Sequence, residues 1–206
     1  LGEVKKHVDL AEVFIVEPCG GTGEFIKGFL RSGVSQECIV SYDIEPKHDL
    51  VKEGNYLEQD LSSYDNLVSI TNPPFGRNSD LARKFFAHDA KFCKYICYLV
   101  PKSWRKWSII NGLPKNYHLV SDIELPKNCF YLPDGTAKAK DVLNTVFQIW
   151  ERRDEERPKI EVRDHDLIEK IQTSKKKVTS HQKVKKVLYE KVGDELVPVE
   201  EDLFRK

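Results

Sequence analysis

The sequence lacks the features typical of membrane proteins, secreted proteins and zinc-binding proteins. It contains no run of about 18 apolar residues, so no segment is expected to span a membrane. It shows no signal-peptide pattern, and its five cysteines form no paired CxxC zinc motif. Methionine is absent and the sequence starts at Leu1, so we expect a fragment or a chain that has lost a disordered start. We expect an intracellular protein with reduced thiols and no metal site.

The sequence also lacks an excess of either charge. Its 33 basic and 33 acidic residues balance, so any nucleic-acid surface would have to be a local patch. The composition becomes charge-dense at Glu151, and we predict a folded domain over residues 1–153 and a charged extension, in part helical, over residues 154–206. Within the extension, residues 174–191 hold seven lysines. A helix around 183–188 would be either a solvated surface or an element that contacts phosphates, and both interpretations stay open.

Short apolar runs that end in polar or glycine-rich residues predict an α/β domain. Strands are predicted at residues 13–16, 38–42, 67–70, 95–100, 118–125 and 145–150. Helical spacing between them predicts helices at 24–31, after an N-cap at Ser79, and at 102–110. Strands that alternate with helices indicate a parallel sheet with right-handed crossovers. The last two strands have only a loop between them, so they are expected to pair antiparallel at one edge.

The turn after the first predicted strand reads EPCGGTG, residues 17–23. Glycines at 20, 21 and 23 let the backbone turn sharply and approach a ligand closely, at the edge of the sheet where such folds bind ligands. Glu17 suits the amino group of a ligand with a cationic amino-acid tail. The absence of GKS or GKT argues against a phosphate-binding P-loop. Asp43, at the end of the next strand, is suited to accept hydrogen bonds from both hydroxyls of a ribose.

A second motif, Asn72-Pro73-Pro74-Phe75, follows the strand predicted at 67–70. The two prolines remove backbone donors and stiffen the turn. The Asn72 side-chain oxygen and the Pro73 carbonyl can then accept the two hydrogens of one planar amino group. Phe75 is suited to stack on the base that carries this amino group. Such an arrangement directs the nitrogen lone pair towards a methyl group on a cationic sulfur, with catalysis by positioning.

These segments together resemble the class I methyltransferases that carry an NPPF or NPPY motif. The order of glycine turn, ribose acid and NPPF is similar to that of the gamma-type DNA adenine methylases, and NPPFG also suits small RNA adenine methylases. A closer likeness is to small bacterial and phage-associated methylases. The shared segments here are YDIEPKH at 42–48, NPPFGR at 72–77, VPKSWRK at 100–106 and TVFQIWER at 145–152. The resemblance covers residues 13–153 and not the extension.

The resemblance implies a Rossmann-like, seven-stranded methyltransferase sheet, mostly parallel with an antiparallel hairpin at one edge, and S-adenosyl-L-methionine as the cofactor. The expected cofactor-binding residues are Glu17, Pro18, Gly20, Gly21, Gly23, Asp43, Ile44, Asn55 and Tyr56. The expected catalytic residues are Asn72, Pro73, Pro74 and Phe75. The expected substrate-binding residues are Arg77, Lys102, Trp104 and Arg105. Relatives carry an aromatic-x-Thr segment that closes over the cofactor, and residues 1–10 show none, so we expect part of this lid to be missing.

The implied activity is methylation of an amino nitrogen, with N6 of adenine in DNA or RNA as the first hypothesis. A duplex would have to present the base flipped out, whereas structured or single-stranded RNA would not need this step. A glutamine amide of a protein is the second hypothesis, because the same two acceptors suit any planar amide. A catalytically inactive, methyltransferase-like subunit is the third. A protein partner or a homodimer stays open.

Overall fold

A computed structural model describes residues 1–76, 79–126 and 144–161, together with the backbone of residues 188–192 and 195–199. The chain divides into two compact units, Leu1–Ile160 and Glu161–Lys206. The first unit extends past the change in composition because residues 153–157 bond back to it. The Arg153 amide donates to the Asn116 carbonyl at 2.8 Å, and the Arg157 amide donates to the Lys115 carbonyl at 2.9 Å. No helix in the described ranges is long and apolar enough to cross a membrane.

In the described part of the first unit, seven strands form one sheet in the order β3-β2-β1-β4-β5-β7-β6. The strands are β1 (Phe14–Glu17), β2 (Ile39–Asp43), β3 (Lys52–Glu53), β4 (Leu67–Thr71), β5 (Cys93–Pro101), β6 (Tyr117–Glu124) and β7 (Thr145–Arg152). The first five strands pair in parallel, and β7 pairs antiparallel with both β5 and β6. The expected sheet, mostly parallel with an antiparallel hairpin at one edge, is therefore confirmed.

Helices cover both faces of the sheet. Helix α1 (Glu24–Arg31) and the 3₁₀ helix Val4–Lys6 pack on one face, and helix α2 (Asp80–Asp89) packs on the other. Ser79 occupies the position before α2, but its φ of 59° is left-handed and its side chain makes no capping hydrogen bond. The helix predicted over 102–110 is split into a 3₁₀ helix, Lys102–Arg105, and helix α3, Trp107–Ile110.

A buried carboxylate organises the core beneath α2. Asp89, the last residue of α2, is fully buried and accepts hydrogen bonds from the hydroxyls of Tyr56 and Tyr98, the latter at 2.6 Å. Burial raises the pKa of Asp89 to about 6, although these hydroxyls oppose the shift. Buried polar groups of this kind need their partners, so the network fixes Tyr56 inside the core.

The described backbone of the second unit is a two-stranded antiparallel ladder, β8 (Leu188–Val192) and β9 (Glu195–Val199). Leu188, which we predicted at the end of a basic helix, begins a strand instead. The other residues of that predicted helix, 183–187, lie outside the described residues.

Candidate active site at the carboxyl edge of the sheet

The turn after β1 has a backbone that only glycine accepts without strain. Gly21 and Gly23 have φ angles of 45° and 72°, both in the left-handed region. The Gly20 amide donates to the Tyr42 carbonyl at 2.9 Å. A Cβ at position 20 would lie 2.2 Å from Ser41 Oγ and 2.8 Å from a methyl of Val51. The turn is therefore packed directly on the end of β2 and the segment after it.

We expect Gly20→Ala to destabilise the protein by about 1–3 kcal/mol, because the added methyl group overlaps Ser41 and Val51. Gly28→Ala is the matched control, since Gly28 lies within α1 and a Cβ there would meet nothing within 4 Å. That control should be neutral or more stable than the wild type by up to about 1 kcal/mol. Urea unfolding measures both changes, and equal stability of the two variants would contradict the packing described here.

Glu17, at the end of β1, is a buried carboxylate with a weak set of partners. It is 2% exposed, and the Ser41 hydroxyl is 3.4 Å from its carboxylate oxygen. Among the described residues no cationic side chain pairs with it. Burial raises the pKa of Glu17 to about 8; the Ser41 hydrogen bond opposes this shift, and the nearby charge of Asp43 adds to it. A buried acid of this kind is suited to a cation supplied by a ligand.

The carboxylate of Asp43 is held in place by the backbone on both sides. One oxygen accepts from the Gly21 amide and the other from the Glu45 amide, each at 2.9 Å. An ionised carboxylate has about four lone-pair positions, so these two bonds leave acceptor capacity for ligand hydroxyls. Ile44, the next residue, is 75% exposed, which leaves an apolar side chain free to pack on a flat ligand ring.

The Asn72-Pro73-Pro74-Phe75 segment lies against the glycine turn. Cys19 Sγ donates to the Asn72 carbonyl at 3.2 Å and lies 3.0 Å from Thr71 Oγ1. Burial raises the pKa of the Cys19 thiol to about 12, so the thiol stays protonated as this donor requires. Asn72 and Pro74 are exposed, Pro73 is buried and Phe75 is half-buried against the core. The two motifs therefore meet at one edge of the sheet, within one hydrogen bond of each other.

Comparisons with known proteins find similar solved structures but no matching sequence family. No family model matches the chain, and no curated protein matches it. The chain is similar to the crystal structure of Thermoplasma acidophilum 1320, with a TM-score of 0.52 and 15% identity over 74% of this chain and 85% of that one. It is also similar to a SAM-dependent methyltransferase from Anabaena variabilis (TM-score 0.47, 11% identity, 74% of this chain, 82% of that one). A third similar structure is the 23S rRNA methyltransferase ErmE (TM-score 0.46, 14% identity, 71% and 65%).

The fold is a Rossmann-like, seven-stranded sheet, mostly parallel with an antiparallel edge. This conclusion rests on the seven-stranded order with its antiparallel β5-β7-β6 edge and on the Thermoplasma structure. At identities this low the likeness establishes the fold alone, so the roles of individual residues have to be argued from the site itself.

Two residues that we predicted as cofactor contacts have partners within the protein. Asn55 is exposed and caps the 3₁₀ helix Tyr56–Glu58, with its oxygen accepting from the Leu57 amide at 3.2 Å. Tyr56 is 2% exposed and its hydroxyl bonds to Asp89. The side chain of Tyr56 is thus a core group and is not available to a ligand. Pro18 is buried beneath the turn.

The predicted substrate-binding residues after β5 are also engaged within the protein. Trp104 is fully buried and packs against Phe86 and Tyr98, which corrects its assignment as a substrate-binding residue. Arg105 donates from Nε to Asp122 at 3.0 Å and also pairs with Glu124. Lys102 pairs with Glu124 as well, so the acidic residues of β6 already neutralise both cations. Arg77 lies outside the described residues.

The sequence interpretation missed two residues that shape the site. Cys19 joins the two motifs, as described above. His48 packs against the glycine turn, because a Cβ at Gly23 would lie 2.5 Å from its ring, and the Lys47 amide donates to the Gly21 carbonyl at 2.9 Å. The segment after β2 therefore closes on the turn from the side of Asp43. The sequence signals were the position of Cys19 in the EPCGGTG turn and that of His48 in the YDIEPKH segment.

Proposed function

We propose that the protein is an S-adenosylmethionine-dependent N-methyltransferase that methylates the exocyclic amino group of a nucleobase, N6 of adenine in DNA or RNA. The observation that carries the proposal is the contact between Cys19 and Asn72 at 3.2 Å. It joins an edge suited to the cofactor with a segment suited to the acceptor, which is the proximity that methyl transfer needs.

The residues present fit the cofactor. Glu17 supplies a buried carboxylate that lacks a cationic partner among the described side chains, and the ammonium group of the cofactor supplies one. Asp43 keeps free lone pairs for the two ribose hydroxyls. Ile44 offers an exposed apolar surface for the adenine ring. The glycines at 20, 21 and 23 allow close approach of the backbone.

The cofactor supplies an electrophilic methyl group on a cationic sulfur. The protein's part is to hold the acceptor nitrogen. Asn72 Oδ1 and the Pro73 carbonyl each accept one N–H of the amino group, which turns the nitrogen lone pair out of conjugation with the ring. Phe75 packs on the face of the ring. With the cofactor bound, transfer of its methyl group to the nitrogen would release S-adenosylhomocysteine and would make the nitrogen strongly acidic. Asn72 Oδ1 would face the proton that the nitrogen then loses to water.

Methyl transfer from labelled cofactor to separate pools of DNA, RNA and protein tests the proposal. Enzymatic digestion of the nucleic acid should place the label in N6-methyladenosine or its deoxy form. Label found only in protein, on glutamine, would reject a nucleobase as the acceptor but would still support methylation of a planar amino nitrogen. If the protein binds S-adenosylhomocysteine but transfers methyl to none of the pools, the proposed activity is rejected in favour of a catalytically inactive binding subunit.

A further inference from the structure

A basic segment with two tryptophans, residues 102–108, follows the carboxyl end of β5. It reads KSWRKWS and holds three cations and no acid. Trp104 is fully buried, whereas Trp107, at the start of α3, is 50% exposed. Tryptophan is highly buried on average, so a half-exposed one leaves a large apolar area in contact with water. The basic segment therefore places one tryptophan in the core and presents the other at the surface.

The exposed tryptophan is next to a cation that is not neutralised. Lys102 and Arg105 both pair with Glu124. Lys106, directly before Trp107, is exposed, and among the described residues it has no ion-pair partner. An unpaired ammonium group beside an exposed aromatic ring is the combination that proteins use to bind single-stranded nucleic acid, with phosphate on the cation and a base on the ring.

This surface is on the same face of the sheet as Phe75. The side chains of Phe75, Ile109 and Ile110 all pack on one core cluster, which also contains Trp104 and residues of α2. Ile109 and Ile110 are the inward-facing residues of α3, and Trp107 is its exposed first residue. Helix α3 and Phe75 therefore share the face of the sheet that carries α2.

Contacts at two glycines connect the acceptor segment, residues 72–75, with α3 through α2. A Cβ at Gly76, the residue after the acceptor segment, would lie 3.0 Å from Leu81 Cβ in the first turn of α2. A Cβ at Gly112, shortly after α3, would lie 3.7 Å from Arg83 Nη1 on the same helix. The sheet order agrees, since β4 and β5 are parallel neighbours and the two segments follow their carboxyl ends.

We infer that Lys106 and Trp107 bind the nucleic-acid strand beside the target base, with Trp107 stacking on a neighbouring base and Lys106 contacting a backbone phosphate. The inference rests on the proposed function and names its substrate as single-stranded or locally unpaired nucleic acid, because only an unpaired base offers its face to the indole ring. Stacking of this kind tolerates every base. The surface therefore adds affinity for the strand without adding a sequence preference.

Tryptophan fluorescence tests the contact directly, because Trp107 is exposed and the other two tryptophans of the chain, Trp104 and Trp150, are fully buried. Single-stranded DNA and RNA of about 12 nucleotides with one adenine, added to protein saturated with S-adenosylhomocysteine, should quench the emission of the wild type. Trp107→Phe should lose the quenching but keep most of the affinity, since phenylalanine still stacks. Trp107→Ala should raise KM for the oligonucleotide about fivefold or more, with kcat within about twofold of the wild type.

The salt dependence of binding tests Lys106. Lys106→Ala removes one phosphate contact, so the slope of log affinity against log salt concentration should become shallower by about 0.7. Lys91→Ala is the matched control and should keep the wild-type slope. Lys91 is also exposed and has no ion-pair partner among the described residues, but it lies between α2 and the start of β5, at the opposite edge of the sheet.

Two results would overturn the surface while the proposed function stands. One is a wild type that methylates adenine while the variants at 106 and 107 bind and methylate the oligonucleotides as it does. The other is quenching that persists in Trp107→Phe, which would place the bound strand elsewhere. A wild type that methylates neither oligonucleotide would reject the proposed function and the surface with it.

Discussion

Replacing Asn72 by alanine is expected to lower the rate of methyl transfer by roughly 10²–10³-fold. The reason is that Asn72 supplies one of the two oxygens that hold the acceptor amino group, so its loss leaves one N–H unpaired and the nitrogen lone pair in conjugation. Binding of S-adenosylhomocysteine should stay within about twofold of the wild type, because the side chain of Asn72 is exposed and the link to the glycine turn uses its backbone carbonyl.

Asn72→Asp is the companion variant. A carboxylate keeps an acceptor oxygen in place, so the loss of rate should be smaller than in the alanine variant. Rates are measured at saturating cofactor and calorimetry is used for S-adenosylhomocysteine. Loss of cofactor binding in Asn72→Ala would contradict the assignment of Asn72 to the acceptor.

The second large effect is expected for Glu17→Gln, which should weaken S-adenosylhomocysteine binding by about 30-fold or more. The ammonium group of the ligand would then be buried without a carboxylate. The same change should stabilise the protein in the absence of ligand, because Glu17 is 2% exposed and its charged form lacks a cationic partner among the described residues. This opposition between stability and binding is typical of functional sites.

The stabilisation should depend on pH in a defined direction. Burial raises the pKa of Glu17 from 4.5 to about 8 in the folded protein. The unfolded chain therefore loses its proton first, and stability falls as pH rises from about 4.5 and levels off above about 8. The advantage of Glu17→Gln should be near zero at pH 4.5 and on the order of 4 kcal/mol at pH 9. Urea unfolding at both pH values measures it, with Glu24→Gln as an exposed control on α1. A difference that does not change with pH would argue against a buried acid at position 17.

Much of the fold could be predicted because each buried strand is a short apolar run that ends in a polar or glycine-rich turn. The runs at 14–17, 39–43 and 67–71 lie where the sequence indicated, and their carboxyl ends meet at one edge. This is why the sequence alone predicts that the glycine turn, Asp43 and Asn72 lie near each other. The antiparallel edge followed from the lack of a helix between the last two predicted strands.

The structure corrects the prediction for Trp104, and it gives Arg105 partners that are distant in the sequence and leave its predicted role a prediction. Trp104 and Trp107 are three residues apart, and only the packing of the 3₁₀ helix on Phe86 decides that Trp104 is buried while Trp107 is 50% exposed. Arg105 is neutralised by Asp122 and Glu124 of β6, a pairing that composition does not reveal. Such contacts depend on register and tertiary packing, which local pattern does not specify.

The burial of Tyr56 likewise depends on a tertiary contact that the local sequence does not specify. It follows Asn55, where a cofactor contact was expected, but the 3₁₀ helix turns Tyr56 inward to Asp89 and leaves Asn55 outside. Its partner, Asp89, is the last residue of α2 and lies 33 residues further along the chain. Cys19 was overlooked for a related reason, because its role depends on Asn72, more than fifty residues away.

The number of protons released when S-adenosylhomocysteine binds at pH 7 tests directly whether the amino end of the ligand lies on Glu17. The pKa of Glu17, about 8, keeps its carboxyl group mostly protonated in the free protein. Binding should ionise it, so calorimetry in buffers of different ionisation enthalpy should show release of about one proton. The Glu17→Gln variant should release none. No binding, or binding whose enthalpy is the same in every buffer, would contradict the claim.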